Sequence, residues 1–163
     1  MSKVLAVLTP ARRGDSLIDE AIRVALAGAG GPEVRVLYVI DRLRGDHLKD
    51  CLNDRGFVGP GPAENVGRIS NDAAQLAGNQ ALDEASERAA LAGVECSTAI
   101  VWGDLLETVV EEDLHCGAER ILMSQSRLGP FISLFGEKAV SKLRRHFGDK
   151  LVTVPSEGDG PLA

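Results

Sequence analysis

The stretch Glu119–Lys138, ERILMSQSRLGPFISLFGEK, decides how the rest of the chain is read. Ile121, Leu122 and Met123 form a short apolar run of the kind a buried strand needs. Ser, Gln, Gly and Pro then make a loop, and Phe131, Ile132, Leu134 and Phe135 return the chain to apolar character up to Gly136. Strand, glycine-bearing loop and helix in that order form the place where α/β proteins hold anions. The free N–H groups at the helix start point at the ligand there.

The same kind of apolar run occurs earlier. Val4–Leu8 is continuous, as a central parallel strand covered on both faces requires, and it stops at Thr9-Pro10 because proline cannot continue a ladder. Asp15 or Ser16 suits the N-cap of a helix whose stripe is Ile18, Ala21, Ile22, Ala25 and Leu26. Gly28, Gly30, Gly31 and Pro32 end it, and Val34–Ile40 reads as a second strand rich in β-branched residues.

Residues 42–68 read as a long irregular insertion, with room for a helical turn over Asp46–Asn53. The run GFVGPGPAENVG reads against regular structure. A segment of this length is a lid, a partner surface or a mobile insertion. Ser70 then caps a helix reaching Ala92, with Ala73, Leu76, Ala77, Leu82, Ala85 and Ala89 on one face and Gly93 at its end.

Val94–Trp102 is the third strand. Asp104 and Glu107 are spaced as a capping box for a helix burying Leu105, Leu106, Val109, Val110 and Leu114 and ending at Gly117. Residues 136–147 form the last helix, with Ala139, Val140 and Leu143 inward. Leu151–Val154 is a fifth strand, and 156–163 is a loose tail. Strands and helices alternate through one domain, 1–155, so the fold class is α/β: a five-stranded parallel sheet with helices on both faces.

Composition narrows the function. The 163 residues carry a formal net charge of −6, which favours neither nucleic acid nor an anionic membrane. No run approaches a membrane span, and Met1–Gly14 lacks the features of a signal peptide, so a cytoplasmic protein is expected. Cys51, Cys96 and Cys116 are too scattered for a zinc site or a disulfide framework. His47, His115 and His146 stand apart from any nucleophile, so no catalytic or metal constellation emerges. Glu111, Glu112 and Asp113 spread around a helix and read as a solvated face.

Four segments together resemble the universal stress protein family: SKVLAVLTP with DEAIRVA, VRVLYVID, GDLLETVVEEDLHCGAERILMS, and LRRHFGDKLVTVP. The resemblance covers essentially the whole folded chain and implies a Rossmann-like three-layer sheet of order 3-2-1-4-5. It also implies a stress-response role and a homodimer joined at the edge strand through Leu151, Val152, Thr153 and Val154. The family's ATP-binding branch carries G-x2-G-x9-G-[ST] across the fourth strand, loop and helix, and that pattern is degenerate in this chain. Anchored on Met123, Ser124 and Arg127 replace the two glycines; anchored on Gly136, Met123 and Ser126 do. Glu137 follows Gly136 where a hydroxyl is expected, and Gly129 is off register. Thr9 stands where that branch has an acidic residue, and Val39 corresponds to the strand position whose backbone meets adenine.

Two functional readings follow. In the first the chain is a non-catalytic regulatory domain with weak or no ATP binding and no cofactor, working through dimerisation and through a protein partner at 42–68. In the second it is a sensor that binds ATP or AMP with a non-standard phosphate loop and hydrolyses ATP slowly. Arg12, Arg13 and Arg127 are a phosphate-holding rim in the sharper reading and solvated loop arginines in the simpler one. Ser124 and Ser126 either bind phosphate, accept phosphorylation or satisfy their own turns.

Overall fold

The apolar runs become the strands. In β1 (Ser2–Leu8) Val4 to Leu8 are all buried, and in β2 (Pro32–Ile40) the same holds from Val36 to Ile40. The computed structural model describes residues 2–9, 15–40, 60–125 and 141–155 of the chain. The remaining elements are α1 (Asp15–Ala27), α2 (Pro60–Leu91), β3 (Glu95–Trp102), α3 (Leu105–Cys116), β4 (Arg120–Gln125) and β5 (Leu151–Pro155). Residues 141–147 are helical, and a 3-10 turn, Gly148–Lys150, leads into β5.

All pairings are parallel, and the sheet order is β3-β2-β1-β4-β5, as the sequence led one to expect. The chain steps outward from β1 to β2 to β3, then crosses back to β4 and β5. Right-handed crossovers in opposite directions put their helices on opposite faces. One core layer accordingly joins α1 and α2 to Val4, Ala6, Val36 and Leu122. The other joins Val109 of α3 and Leu143 of the last helix to Leu5, Val7, Leu37 and Ile121. Full burial of a side chain such as Leu122 stabilises by about 1.5–3 kcal/mol, so β1 and β4 anchor the molecule.

The capping expectations hold for α3. Asp104 accepts a hydrogen bond from the Glu107 backbone N–H at 3.1 Å, and Gly117 closes the helix with φ 61°, where a side chain would be strained. Ser16 lies inside α1, which starts at Asp15.

Several expectations need correction. Helix α2 begins at Pro60, not Ser70, so residues 60–68 are not irregular. Pro60 and Pro62 fall in the first turn, where their missing N–H groups have no intrahelical partner to lose. The inward face of α2 is Gly78, Leu82, Ala85 and Ala89; Leu76 is 60% exposed, and Ala73 and Ala77 face solvent. Leu114 is 81% exposed, and Leu26 is also exposed. Glu112 and Asp113 are not a solvated face. They pair with Arg35 at 2.5 Å and Lys150 at 2.7 Å, cations 77 and 37 residues away. Residues 41–59 and 156–163, which include the Asp46–Asn53 turn and the tail, lie outside the described residues.

Candidate functional site at the carboxyl ends of the strands

Register places the expected site residues. Leu8 lies opposite Tyr38 and Val7 opposite Met123, so Thr9, Val39 and Ser124 fall at the carboxyl ends of three neighbouring strands. From there β1 leads toward α1 on one face and β4 toward the last helix on the other. Chain ends that diverge to opposite faces leave a crevice between β1 and β4, the switch point at which open α/β sheets bind ligands.

Thr9 is half-buried just past β1. Val39 is 2% exposed and packs in the core layer under α3, so its side chain is structural. Ser124 is 5% exposed and stays in the ladder opposite Val154, with Gln125 opposite Pro155 beyond it. The ladder therefore continues through Ser124 and Gln125. Ser126, Arg127, Gly129, Gly136 and Glu137, and the rim residues Arg12 and Arg13, lie outside the described residues.

Two features of this edge have no local sequence signal. Trp102, the last residue of β3, donates its indole N–H to Gln75 Oε1 at 3.0 Å, so Gln75 marks the level at which α2 leaves the sheet. At about 1.5 Å per residue, residues 60–74 carry the helix axis about 22 Å past that level. The second feature is Gly78, which brings the helix against the Tyr38 ring and the Ile100 side chain.

Electrostatics argue against an anion at the nearest described helix start. Gly103 N–H is taken by Ile40 C=O at 3.0 Å, and the Asp104 carboxylate occupies the first turn of α3. A phosphate there would meet a negative charge already in place. The thiols are no better placed for chemistry. Burial pushes Cys96 and Cys116 above the ordinary thiol range, and both lie toward the opposite end of the sheet. His115 and His146 are exposed, and among the described residues no three metal-binding side chains gather.

No family model matches the sequence, and no curated relative does. Solved structures do match. A universal stress protein family member from Burkholderia pseudomallei is 22% identical with a TM-score of 0.64, covering 95% of this chain and 96% of that one. UspA from Lactobacillus plantarum is 13% identical with a TM-score of 0.66, covering 94% and 97%. A family member from Arabidopsis thaliana with AMP bound is 12% identical with a TM-score of 0.56, covering 98% and 94%. Sheet order, helix placement and these superpositions over nearly the full length agree: the chain has the universal stress protein fold.

Proposed function

We propose that the chain is a universal stress protein-like regulatory domain, non-catalytic, that pairs with a second copy and binds ATP weakly or not at all. The observation that carries this is Ser124, buried in the β4 ladder where a phosphate loop needs a glycine whose backbone is open to the ligand. The scattered histidines and the raised thiols support the absence of catalysis. Pairing is proposed through Leu151, Val152, Thr153 and Val154, since β5 is an edge strand and Val152 to Val154 are only half-buried.

The test is to denature the purified protein and analyse the supernatant by mass spectrometry. The expected result is no stoichiometric nucleotide; an adenine nucleotide near one per chain would overturn the reading. The second reading, an adenine-nucleotide sensor, is supported by the crevice at β1 and β4 and by the AMP held in the Arabidopsis neighbour. Under it, Arg127→Ala weakens binding by about 1.5–3 kcal/mol, the worth of a charge-assisted contact. Dimerisation is read separately by sedimentation at micromolar concentration, where a monomer at every loading removes it.

A further inference from the structure

The two edges of the sheet differ. β5 has five residues and ends in Pro155, whereas β3 has eight, and from Cys96 to Trp102 it contains no charge and no proline. Short length and proline are ways in which edge strands avoid further pairing, and β3 has neither. Among the described residues no strand lies beyond it. The parity of its outward groups follows from one hydrogen bond. Gly103 N–H points to Ile40 C=O on β2, so in an alternating strand Val101, Ala99 and Ser97 point the same way. The main-chain N–H and C=O groups of Cys96, Thr98, Ile100 and Trp102 therefore point out from the edge.

The surroundings of that edge are acidic. Between Asp72 and Asp104 the chain has six carboxylates and one Lys or Arg, Arg88, which is held by Asp19 of α1 at 2.8 Å. Gln75 accepts a hydrogen bond from Trp102 on β3, while Arg88 reaches toward α1, and these two contacts fix the rotation of α2. Helical spacing then puts Asp72 and Asp83 on the flank toward the outer side of β3, and both are exposed. Glu95 and Asp104 flank the two ends of the strand, both exposed.

We propose that the free edge of β3 docks an extended, lysine- or arginine-rich segment of a partner protein, which adds as a further strand. Main-chain pairing supplies the geometry, and the acidic flank of α2 selects the charge. A second copy of this chain fits poorly, because two-fold pairing at β3 would bring one acidic flank against the other.

The probe is an eight-residue peptide alternating lysine and valine, with a glutamate–valine peptide as its counterpart. Amide exchange by NMR is followed on the folded protein with and without each. The lysine peptide should slow exchange at Thr98 and Ile100 by about tenfold or more while leaving Ala99 and Val101, already bonded to β2, unchanged; the glutamate peptide should slow none of the four. The variant Thr98→Pro removes an outward donor that β2 does not use, and D72K/D83K reverses charge on an exposed flank. Each should weaken peptide binding by about tenfold or more. Binding without slowed exchange at Thr98 and Ile100 would mean diffuse charge attraction and would overturn the proposal. So would slow exchange at those amides without peptide, since the edge would then be covered by the chain's own segments or by a second copy.

Discussion

Gly78→Ala sets two opposing effects against each other in one methyl group. Position 78 lies in the interior of α2, where alanine is favoured over glycine by about 1 kcal/mol. A Cβ built there, however, would sit 2.8 Å from Tyr38 Cδ1, 3.0 Å from Tyr38 Cε1 and 3.2 Å from Ile100 Cδ1. The nearest of these is closer than real Cβ atoms come, and the Tyr38 ring has little room to move, being 4% exposed in the core layer under α1 and α2. Either the ring leaves its rotamer or the helix lifts from β2 and β3. Overpacking of this kind costs about 1–3 kcal/mol.

The two effects sum to a net loss of about 0–2 kcal/mol, and the contact decides the sign. Urea unfolding measures it as a shift in midpoint at constant slope, and thermal unfolding should show a fall of about 2–4 °C per kcal/mol for a chain of this size. A second background makes the test strict. With Tyr38→Val the ring is gone, and Gly78→Ala should then stabilise, leaving a coupling of about 1–3 kcal/mol between the two sites. If Gly78→Ala alone stabilised by the full helix-propensity increment, α2 would not lie as close to the sheet as described, and the argument would fail.

Other predictions rest on separate contacts. Asp104→Ala removes the acceptor for the Glu107 N–H and should cost about 1 kcal/mol in urea unfolding, whereas Asp104→Asn should cost much less; equal losses would show that the cap hydrogen bond is not what matters. Cys96 and Cys116 have thiol pKa values raised chiefly by burial, so both should alkylate slowly at neutral pH in the folded protein and quickly after denaturation. The sign for stability follows from the same shift: the contribution of each buried thiol is complete below its unfolded value and is lost as pH rises through the folded one. Mass spectrometry that locates the iodoacetamide adducts checks the labelling rates, and fast labelling of Cys96 or Cys116 in the native protein at neutral pH would contradict them.

What was legible in the sequence was whatever depends on neighbours along the chain. Val4–Leu8 and Ile121–Met123 declare buried strands by composition, and Asp104 with Glu107 declares a helix start by spacing. What depends on rotation or on distant residues was not. The stripe of α2 is rich in alanine and weakly amphipathic, so a period of 3.6 residues fits several faces, and Leu76 was assigned inward although it points out. Pro60 and Pro62 read as breakers because nothing local says that a helix starts just there. The partners of Glu112 and Asp113 come from β2 and from the turn before β5, which only the sheet order brings near. At the candidate site, three of the expected positions converge by strand register. That convergence is a property of topology, and the chemistry of Ser124 comes from the ladder it stays in.

The distribution of ion pairs separates scaffold from site. Lys3 with Glu33, Arg35 with Glu112, Lys150 with Asp113, and Arg120 with the Asp149 carbonyl all lie toward the amino ends of the strands. Exposed pairs contribute little, but Arg35 with Glu112 and Lys150 with Asp113 are half-buried and tie β2 to α3 and α3 to the start of β5. They fasten the end of the sheet where helices finish and strands begin. The opposite end has Thr9, Ser124 and the overhang of α2, and the polar contacts there include Trp102 with Gln75 and the cap at Asp104. In an α/β sheet the rigid end holds the strands in register while residues at the other end can change without loss of the fold. Under the proposed reading, a phosphate pattern without its glycines is a change of that second kind. The ion pairs and core layers that hold the sheet together do not depend on those positions.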